Sequence, residues 1–182
     1  MRFQYNHCGK PALINELDGD IIRFNLSHSD EFAVYALSYG REVGIDVERV
    51  RDDVPSAGVA GEALSHQEIA AFRRLPTHLQ AEAFFKYWVC KEAYLKAKGI
   101  GFSNQLSRFI SVSLLPDEQG ELLKILEISG EASGWSIALF GPAPDYVGAV
   151  AKEGKDWHLR CQPWAISNPP LVSAAYTQDP VI

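Results

Sequence analysis

Two runs of strand-forming residues, separated by a glycine turn, fill the stretch from Phe32 to Glu48 (FAVYALSYGREVGIDVE). The first run, Phe32–Tyr39, is rich in the aromatic and aliphatic residues that favour strands. The second run, Val43–Glu48, alternates aliphatic residues with Gly, Asp and Glu, which is the period of a half-buried strand. Tyr39-Gly40-Arg41-Glu42 lies between them and has the composition of a turn. The stretch therefore predicts two strands joined as a hairpin.

Helical patterns follow this stretch. Ser65 and Glu68 match the S-x-x-E pattern of a capping box, which predicts the start of a helix. The break at Leu75-Pro76-Thr77 ends that helix, and Thr77 is a candidate N-cap for the next one. Gly99 is a natural stop for this second helix, because glycine readily adopts the left-handed conformation that ends helices.

Further strand patterns lie on both sides of the helices, and the combination of strands with one long helix predicts an α+β fold. These predicted strands are Ile21–Leu26, Phe109–Leu115, Leu122–Ile128, Trp135–Phe140 and Tyr146–Ala151.

Composition narrows the class of protein. The chain has 182 residues, of which 47% are hydrophobic, and a formal net charge of −6. The length fits one globular unit or two small subdomains. An acidic chain is not drawn as a whole to nucleic acid or anionic membrane, so neither is expected as a partner. The cysteine spacing, the absence of a signal-like start and the absence of a long apolar run lead us to expect a cytoplasmic protein with free thiols.

A pair of carboxylates is the first candidate for chemistry. In the predicted strand Val43–Glu48, the three aliphatic residues face one side and Asp46 and Glu48 face the other. Two like charges on one strand face repel each other unless a cation lies between them, and carboxylate oxygens are ligands that Mg²⁺ prefers. The alternative is a solvated acidic face on an edge strand.

The long helix supplies the second candidate. Trp88, Glu92 and Lys96 are spaced i, i+4 and i+8, which places them on one helix face. Glu92 could add a third carboxylate to a magnesium site, and Lys96 could hold a phosphate oxygen. The alternative is an ordinary Glu–Lys pair beside a core tryptophan.

The third candidate is the segment Phe24-Asn25-Leu26-Ser27-His28-Ser29. A strand that ends in serines and a histidine can offer hydrogen-bond donors to a phosphate. The alternative is a polar turn in which the serines bond to the local backbone.

Together with Gly9-Lys10-Pro11, these motifs resemble, in order and spacing, the Sfp-type 4′-phosphopantetheinyl transferases. That family reads approximately G-K-P, F-N-x-S-H-S, V-G-I-D-V-E and W-x-x-K-E-A-x-x-K, and the last motif corresponds to Trp88–Lys96. The resemblance extends from the start of the chain to about Trp164. It implies a fold of two pseudo-symmetric α/β halves with coenzyme A between them, of which the first half is incomplete here. The expected division is a partial N-terminal subdomain (1–42), a C-terminal subdomain with the metal site (43–165) and a flexible tail (166–182).

The resemblance also implies roles for individual residues. Asp46, Glu48 and Glu92 would bind Mg²⁺. Coenzyme A would contact Lys10, Pro11, Ser27, His28, Lys91 and Lys96. Glu92, Lys96 and Glu68 would serve catalysis, with Glu68 helping to deprotonate the carrier serine, although its place in the capping box is an equal alternative.

The implied reaction is the magnesium-dependent transfer of 4′-phosphopantetheine from coenzyme A to a serine of an acyl or peptidyl carrier protein, with release of 3′,5′-adenosine bisphosphate. Asp52–Leu64 is the expected carrier-contact region, and the protein would be a monomer or a truncation-induced dimer. One alternative is a truncated, non-catalytic remnant that binds coenzyme A or the carrier. Another is a different magnesium-dependent phosphate-transfer or hydrolysis enzyme.

Overall fold

Strands and two helices make up the part of the chain that the structure describes, a computed structural model covering residues 2–14, 22–51, 61, 63–101, 110–116, 123–127, 134–164 and 173–178. The helices are α1 (His66–Phe72) and α2 (Thr77–Lys98). The strands are β1 (Phe3–Tyr5), β2 (Pro11–Leu13), β3 (Ile22–Ser29), β4 (Phe32–Tyr39), β5 (Val43–Arg49), β6 (Ile110–Pro116), β7 (Leu123–Glu127), β8 (Trp135–Phe140), β9 (Tyr146–Glu153), β10 (His158–Gln162) and β11 (Ser173–Gln178). The predicted α+β composition is confirmed. Neither helix is long and apolar enough to cross a membrane.

The described strands form three sheets. A five-stranded antiparallel sheet has the order β5-β9-β8-β7-β6, and a four-stranded sheet has the order β10-β11-β4-β3. The hairpin β1-β2 stands apart from both. All pairs are antiparallel except β11 with β4.

Two apolar cores lie on the two faces of the five-stranded sheet. On one face, buried residues of α2 such as Phe84 and Leu95 pack against residues such as Ile137. On the other face, the aliphatic residues of β5 pack against Val34 and Ala36 of the four-stranded sheet. The molecule is therefore layered as helices, five-stranded sheet and four-stranded sheet, and β5 is buried on both sides.

The predicted hairpin between β4 and β5 is wrong, although both strands form where they are expected. Strand β4 pairs with β3 and β11, whereas β5 pairs with β9 in the other sheet. The reason is that β5 stacks its aliphatic face on β4 and buries apolar surface, instead of sharing backbone hydrogen bonds with it. The hairpin that does form joins β3 to β4, and Asp30 provides its turn with a φ of 47°.

The helix boundaries follow local sequence signals. Ser65 and Glu68 form the predicted capping box, with both reciprocal hydrogen bonds present. Gly99 ends α2 in the left-handed conformation as predicted, with φ 66° and ψ 26°. The prediction of Thr77 as an N-cap is wrong, because the cap position is Pro76 and no side chain caps the helix there.

The two strands near the end of the chain join the sheet that contains β3 and β4. Strand β10, placed by the sequence in the second subdomain, joins the four-stranded sheet that contains β3 and β4. Within the expected flexible tail, residues 173–178 are strand β11 of the same sheet, held by β10 on one side and β4 on the other. Backbone hydrogen bonds to two neighbouring strands hold this segment, and no periodic pattern in its sequence predicts that pairing.

Candidate active site

Helix α2 lies directly against strand β5 at Gly44. A side chain at this position would place its Cβ 2.1 Å from the carbonyl oxygen of Ala93 and 2.3 Å from the amide nitrogen of Ala97. Only glycine permits this approach, and the small alanines opposite contribute to it. The close contact brings the polar face of β5 to the helix turn that carries Glu92 and Lys96.

Strand β3 covers the free edge of β5 with side chains. Asn25 accepts a hydrogen bond from the amide of Ile45 at 2.9 Å, and the Ser29 hydroxyl accepts one from the amide of Arg49 at 3.2 Å. These two side chains therefore satisfy backbone donors of an edge strand that would otherwise lack partners. They fix the distance between the two sheets at the edge where the carboxylates lie.

The same face of β3 also binds the carboxylates of β5. The Ser27 hydroxyl donates to Oδ1 of Asp46 at 2.8 Å, and the Ser29 hydroxyl donates to Oε2 of Glu48 at 2.9 Å. Asp46 and Glu48 each accept a hydrogen bond from β3, so that the alternative of a freely solvated acidic face is wrong. Asp46 is only 4% exposed.

Lys96 completes the connection between α2 and the strands. Its Nζ donates to Oδ1 of Asp46 at 2.6 Å and to the hydroxyl of Ser27 at 3.0 Å. Glu92 lies one helical turn earlier on the same face. The structure thus brings together Asp46, Glu48, Glu92, Lys96 and Ser27 from three separate motifs.

Electrostatics link the three carboxylates. Burial raises the pKa of Asp46, and the Lys96 ammonium opposes that rise. Burial also raises the pKa of Glu48, against the hydrogen bond from Ser29. Burial, followed by the charge of Asp46, raises the pKa of Glu92 to about 7. The three negative charges therefore destabilise one another, and Lys96, together with Arg51 near Glu48, compensates for them only in part.

One atom in this cluster is left without a partner. Oδ2 of Asp46 is buried and accepts no hydrogen bond within the described part of the chain. An unsatisfied buried acceptor of this kind typically costs about 1–3 kcal/mol. A cation would give this oxygen a partner, and a set of carboxylate oxygens suits Mg²⁺. As the side chains stand, no three His, Cys, Asp or Glu residues among those described lie close enough to hold a metal ion. The cluster therefore has the type of ligand that Mg²⁺ prefers, but its carboxylate side chains do not converge on one point.

Glu68 and Lys91, both expected to take part, lie elsewhere. Lys91 is about 140° around α2 from Lys96, because successive helical residues are about 100° apart. Its ammonium pairs with Glu68 at 2.5 Å, and both side chains are 2% exposed. The remaining acceptor positions of Glu68 take the amides of Ser65 at 2.7 Å and Val112 at 2.8 Å. The pair joins α1, α2 and β6, and the structure does not bring it to the carboxylate cluster.

His28 also lies apart from the cluster. In β3 the residues alternate, so that Asn25, Ser27 and Ser29 are buried while His28 is exposed on the opposite face. The sequence analysis treated Ser27, His28 and Ser29 as one group of phosphate donors, and it gave Asn25 and Ser29 no role as partners of β5. The signal that would have found them is the period-2 spacing of three polar residues in this segment.

Lys10 and Pro11 line a cleft of about 500 Å³ next to the cluster. The cleft lies between the β1-β2 hairpin, β3 and the end of α2, and Lys96 is on its wall. Nζ of Lys10 donates to Glu42 at 2.7 Å and to the carbonyl oxygen of Ala97 at 2.7 Å. The structure therefore brings Lys10, Pro11 and Lys96 to one cleft. Most of the expected carrier-contact segment, residues 52–64, lies outside the described residues.

Comparison with known proteins identifies similar sequences. The family model of the 4′-phosphopantetheinyl transferase superfamily matches residues 42–151. The 4′-phosphopantetheinyl transferase HetI of Nostoc sp. is 35% identical over 86% of this chain and 62% of its own length. The 4′-phosphopantetheinyl transferase Sfp of Bacillus subtilis is 28% identical over 86% of this chain and 65% of its own. The enzyme gsp of Aneurinibacillus migulanus is 36% identical over 59% and 42%, respectively. The chain thus spans less than two thirds of these relatives.

Proposed function

Because this chain belongs to the 4′-phosphopantetheinyl transferase superfamily, we propose that it transfers 4′-phosphopantetheine from coenzyme A to a serine of an acyl or peptidyl carrier protein. Three of its relatives carry the name 4′-phosphopantetheinyl transferase. The proposal rests on the chemistry of the residues beside the cleft.

One observation supports the proposal most strongly. Lys96, Asp46 and Ser27 are joined by short hydrogen bonds beside a cleft, and the second oxygen of Asp46 has no partner among the described residues. This oxygen is therefore open to a ligand. An anionic ligand with its counter-ion would give that atom a partner and would relieve the repulsion among the carboxylates.

The proposed reaction forms a bond from the carrier serine oxygen to the β-phosphorus of coenzyme A. The bond from that phosphorus to the bridging oxygen breaks, and 3′,5′-adenosine bisphosphate leaves with the electron pair. The serine proton passes to a base. Negative charge grows on the phosphoryl and leaving oxygens, so positive groups held in place stabilise the transition state.

Lys96 has the right chemistry and place for that role. Its ammonium reaches the cleft wall and already neutralises part of the charge on Asp46. When a phosphate enters, the ammonium can be shared between the carboxylate and a phosphate oxygen. Lys10, on the same cleft, would hold the nucleotide end by charge, together with Pro11 by contact.

Asp46, Glu48 and Glu92 carry the oxygens that would hold Mg²⁺ once their side chains turn towards one another. The ion would supply charge neutralisation at the diphosphate when it is bound. Of the two glutamates expected in catalysis, Glu92 is the better candidate for a proton-handling role. It lies beside Asp46 in the carboxylate cluster, whereas the Glu68 carboxylate is occupied by Lys91 and by backbone amides.

A mass measurement tests the proposal. The full chain is incubated with coenzyme A, Mg²⁺ and an apo carrier protein, and the carrier is weighed intact. The expected result is a gain of one phosphopantetheine group. No gain by a folded protein, under conditions in which a full-length relative works, would contradict the proposed activity.

Two isosteric variants test the residue roles. Asp46→Asn and Glu92→Gln should each lower the transfer rate at least about 100-fold, since each removes a charge that orders the diphosphate. Glu82→Gln on the exposed side of α2 is the control, because Glu82 forms its ion pair with Lys86, one turn away on the same helix. Mg²⁺ should raise the melting temperature of the wild type and of Glu82→Gln but not of Asp46→Asn. A full Mg²⁺ response in Asp46→Asn would show that the ion binds elsewhere.

A further inference from the structure

The C-terminal end of α2 depends on a distant turn for its hydrogen bonds. A helix leaves its last carbonyl groups without helical partners. At this end, the amide of Gly99 bonds to Lys96 and the amide of Ile100 bonds to Leu95, which is a Schellman arrangement. The carbonyl oxygens of Ala97 and Gly99 both accept hydrogen bonds from the turn between β1 and β2.

Asn6 is the centre of that turn. Its Oδ1 accepts from the amides of Cys8 and Lys10, both at 2.9 Å, and so shapes the chain that leads to Lys10 and Pro11. Its Nδ2 donates to the carbonyl oxygen of Gly99 at 2.7 Å, across 93 positions of sequence. One side chain therefore forms the turn and also attaches it to the helix.

The attachment matters because of what the two partners carry. The turn bears Lys10 and precedes Pro11, and the last turns of α2 bear Lys96; all three residues line the same cleft. Gly99 allows the contact, since a Cβ there would lie 2.6 Å from Nδ2 of Asn6. If the turn moved away from the helix, the cleft would widen between its two lysines.

We propose that Asn6 is a positioning residue for coenzyme A, which acts by holding the Lys10 turn at a fixed distance from Lys96. This rests on the proposed function. Asn6 need not touch the ligand or the reacting atoms. Its loss therefore weakens the binding of coenzyme A and leaves the chemical step nearly unchanged.

Two substitutions separate the two tasks of Asn6. Asn6→Asp keeps the oxygen that accepts from Cys8 and Lys10 but replaces the donor to Gly99 with an oxygen that repels its carbonyl. Asn6→Ala removes both contacts. If Asn6 only shapes the turn, the Asp variant resembles the wild type; if it attaches the turn to the helix, the Asp variant resembles the Ala variant.

The expected result is a rise of about fivefold in the KM for coenzyme A in both variants, the equivalent of one net hydrogen bond, with kcat within about twofold. His7→Ala is the matched control, because His7 is an exposed residue of the same turn. A wild-type KM in Asn6→Asp would overturn the proposal. So would an equal fall of kcat and kcat/KM, since that would place Asn6 in the chemical step.

A reversible cross-link provides a second readout. A Cβ built on Gly101 lies 3.6 Å from Cβ of Cys8, within the range for a disulfide. Gly101→Cys, in a Cys161→Ser background, should therefore form a disulfide that attaches the turn to the end of α2. The variants to be compared both carry Gly101→Cys, so the cost of a side chain at the positive φ of Gly101 cancels.

Because Cys8 and Gly101 both line the cleft, the readout is the rate of cross-linking and not KM. Cross-linking by glutathione disulfide should be slower in Asn6→Asp/Gly101→Cys than in Gly101→Cys, because the turn is no longer held. An unchanged cross-linking rate would overturn the positioning role. The cross-linking rate needs no turnover, so failure of the proposed function itself would appear separately, as a wild-type chain without transfer activity.

Discussion

Gly44→Ala tests whether the contact between β5 and α2 builds the candidate site. The added methyl group would lie 2.1 Å from the carbonyl oxygen of Ala93 and 2.8 Å from Cα of Ala97. These are backbone atoms, so no side chain can turn aside to make room. Since ordinary van der Waals contact begins near 3.4 Å, the helix and the strand would have to separate by about 1.3 Å.

The same separation would break the ion pair between Lys96 and Asp46. Lys96 and Asp46 are 2.6 Å apart, and a separation of about 1.3 Å without side-chain adjustment would carry them beyond hydrogen-bond length. Overpacking of a core by one methyl group costs about 1–3 kcal/mol, and backbone atoms place this case at the upper end. For a chain of this size, that corresponds to a fall of about 4–12 °C in melting temperature.

Thermal unfolding followed by circular dichroism measures the stability, and the carrier mass assay measures the transfer. Gly141→Ala is the control, because a Cβ there has its nearest neighbour at an ordinary 3.7 Å and the backbone is not left-handed. We expect Gly44→Ala to lose both stability and transfer, and Gly141→Ala to keep both. A Gly44→Ala protein with an unchanged melting temperature would refute the close approach of β5 to α2.

Two further predictions concern ionisable groups. Because the pKa of Glu92 is raised from 4.5 to about 7, its proton stabilises the metal-free folded state fully below about pH 4.5, and this contribution is lost as the pH rises through 7. Chelator-treated wild type and Glu92→Gln should therefore have similar free energies of unfolding near pH 4, and the variant should gain stability relative to the wild type towards pH 8. Parallel curves of this free energy against pH, measured in urea titrations, would contradict the burial assigned to Glu92. Glu68→Ala should cost about 3–5 kcal/mol, since it leaves the buried Lys91 without its carboxylate. Glu68→Leu combined with Lys91→Met should recover most of that loss in the same titrations, and an equally unstable double variant would argue against a mainly electrostatic cause.

Patterns within short stretches of sequence predicted much of the secondary structure and of the side-chain faces. The alternation of Val43–Glu48 placed Asp46 and Glu48 on one face, and the i, i+4 spacing placed Glu92 beside Lys96. The capping box and the terminal glycine set helix ends correctly. These successes share a cause: strand period, helix period and caps depend on residues within a few positions of each other.

The contacts that the sequence did not predict share a different cause. The pairing of β4 with β3 instead of β5 depends on which buried faces meet, and no neighbour in sequence decides that. Glu68 and Lys91 looked like candidates for the site, yet they satisfy each other in the core. His28 adjoins Ser27 in sequence, and the pleat sends it to the opposite face.

The sequence by itself determined the family resemblance, the secondary structure of the central strands and the faces on which the carboxylates lie. Only the tertiary structure decided that Lys96 closes on Asp46 and that Asn6 attaches the Lys10 turn to the end of α2. The physical reason is that such contacts join segments 50 and 93 positions apart. Their distances are set by packing, above all by the missing side chain of Gly44, and not by any local preference of the chain.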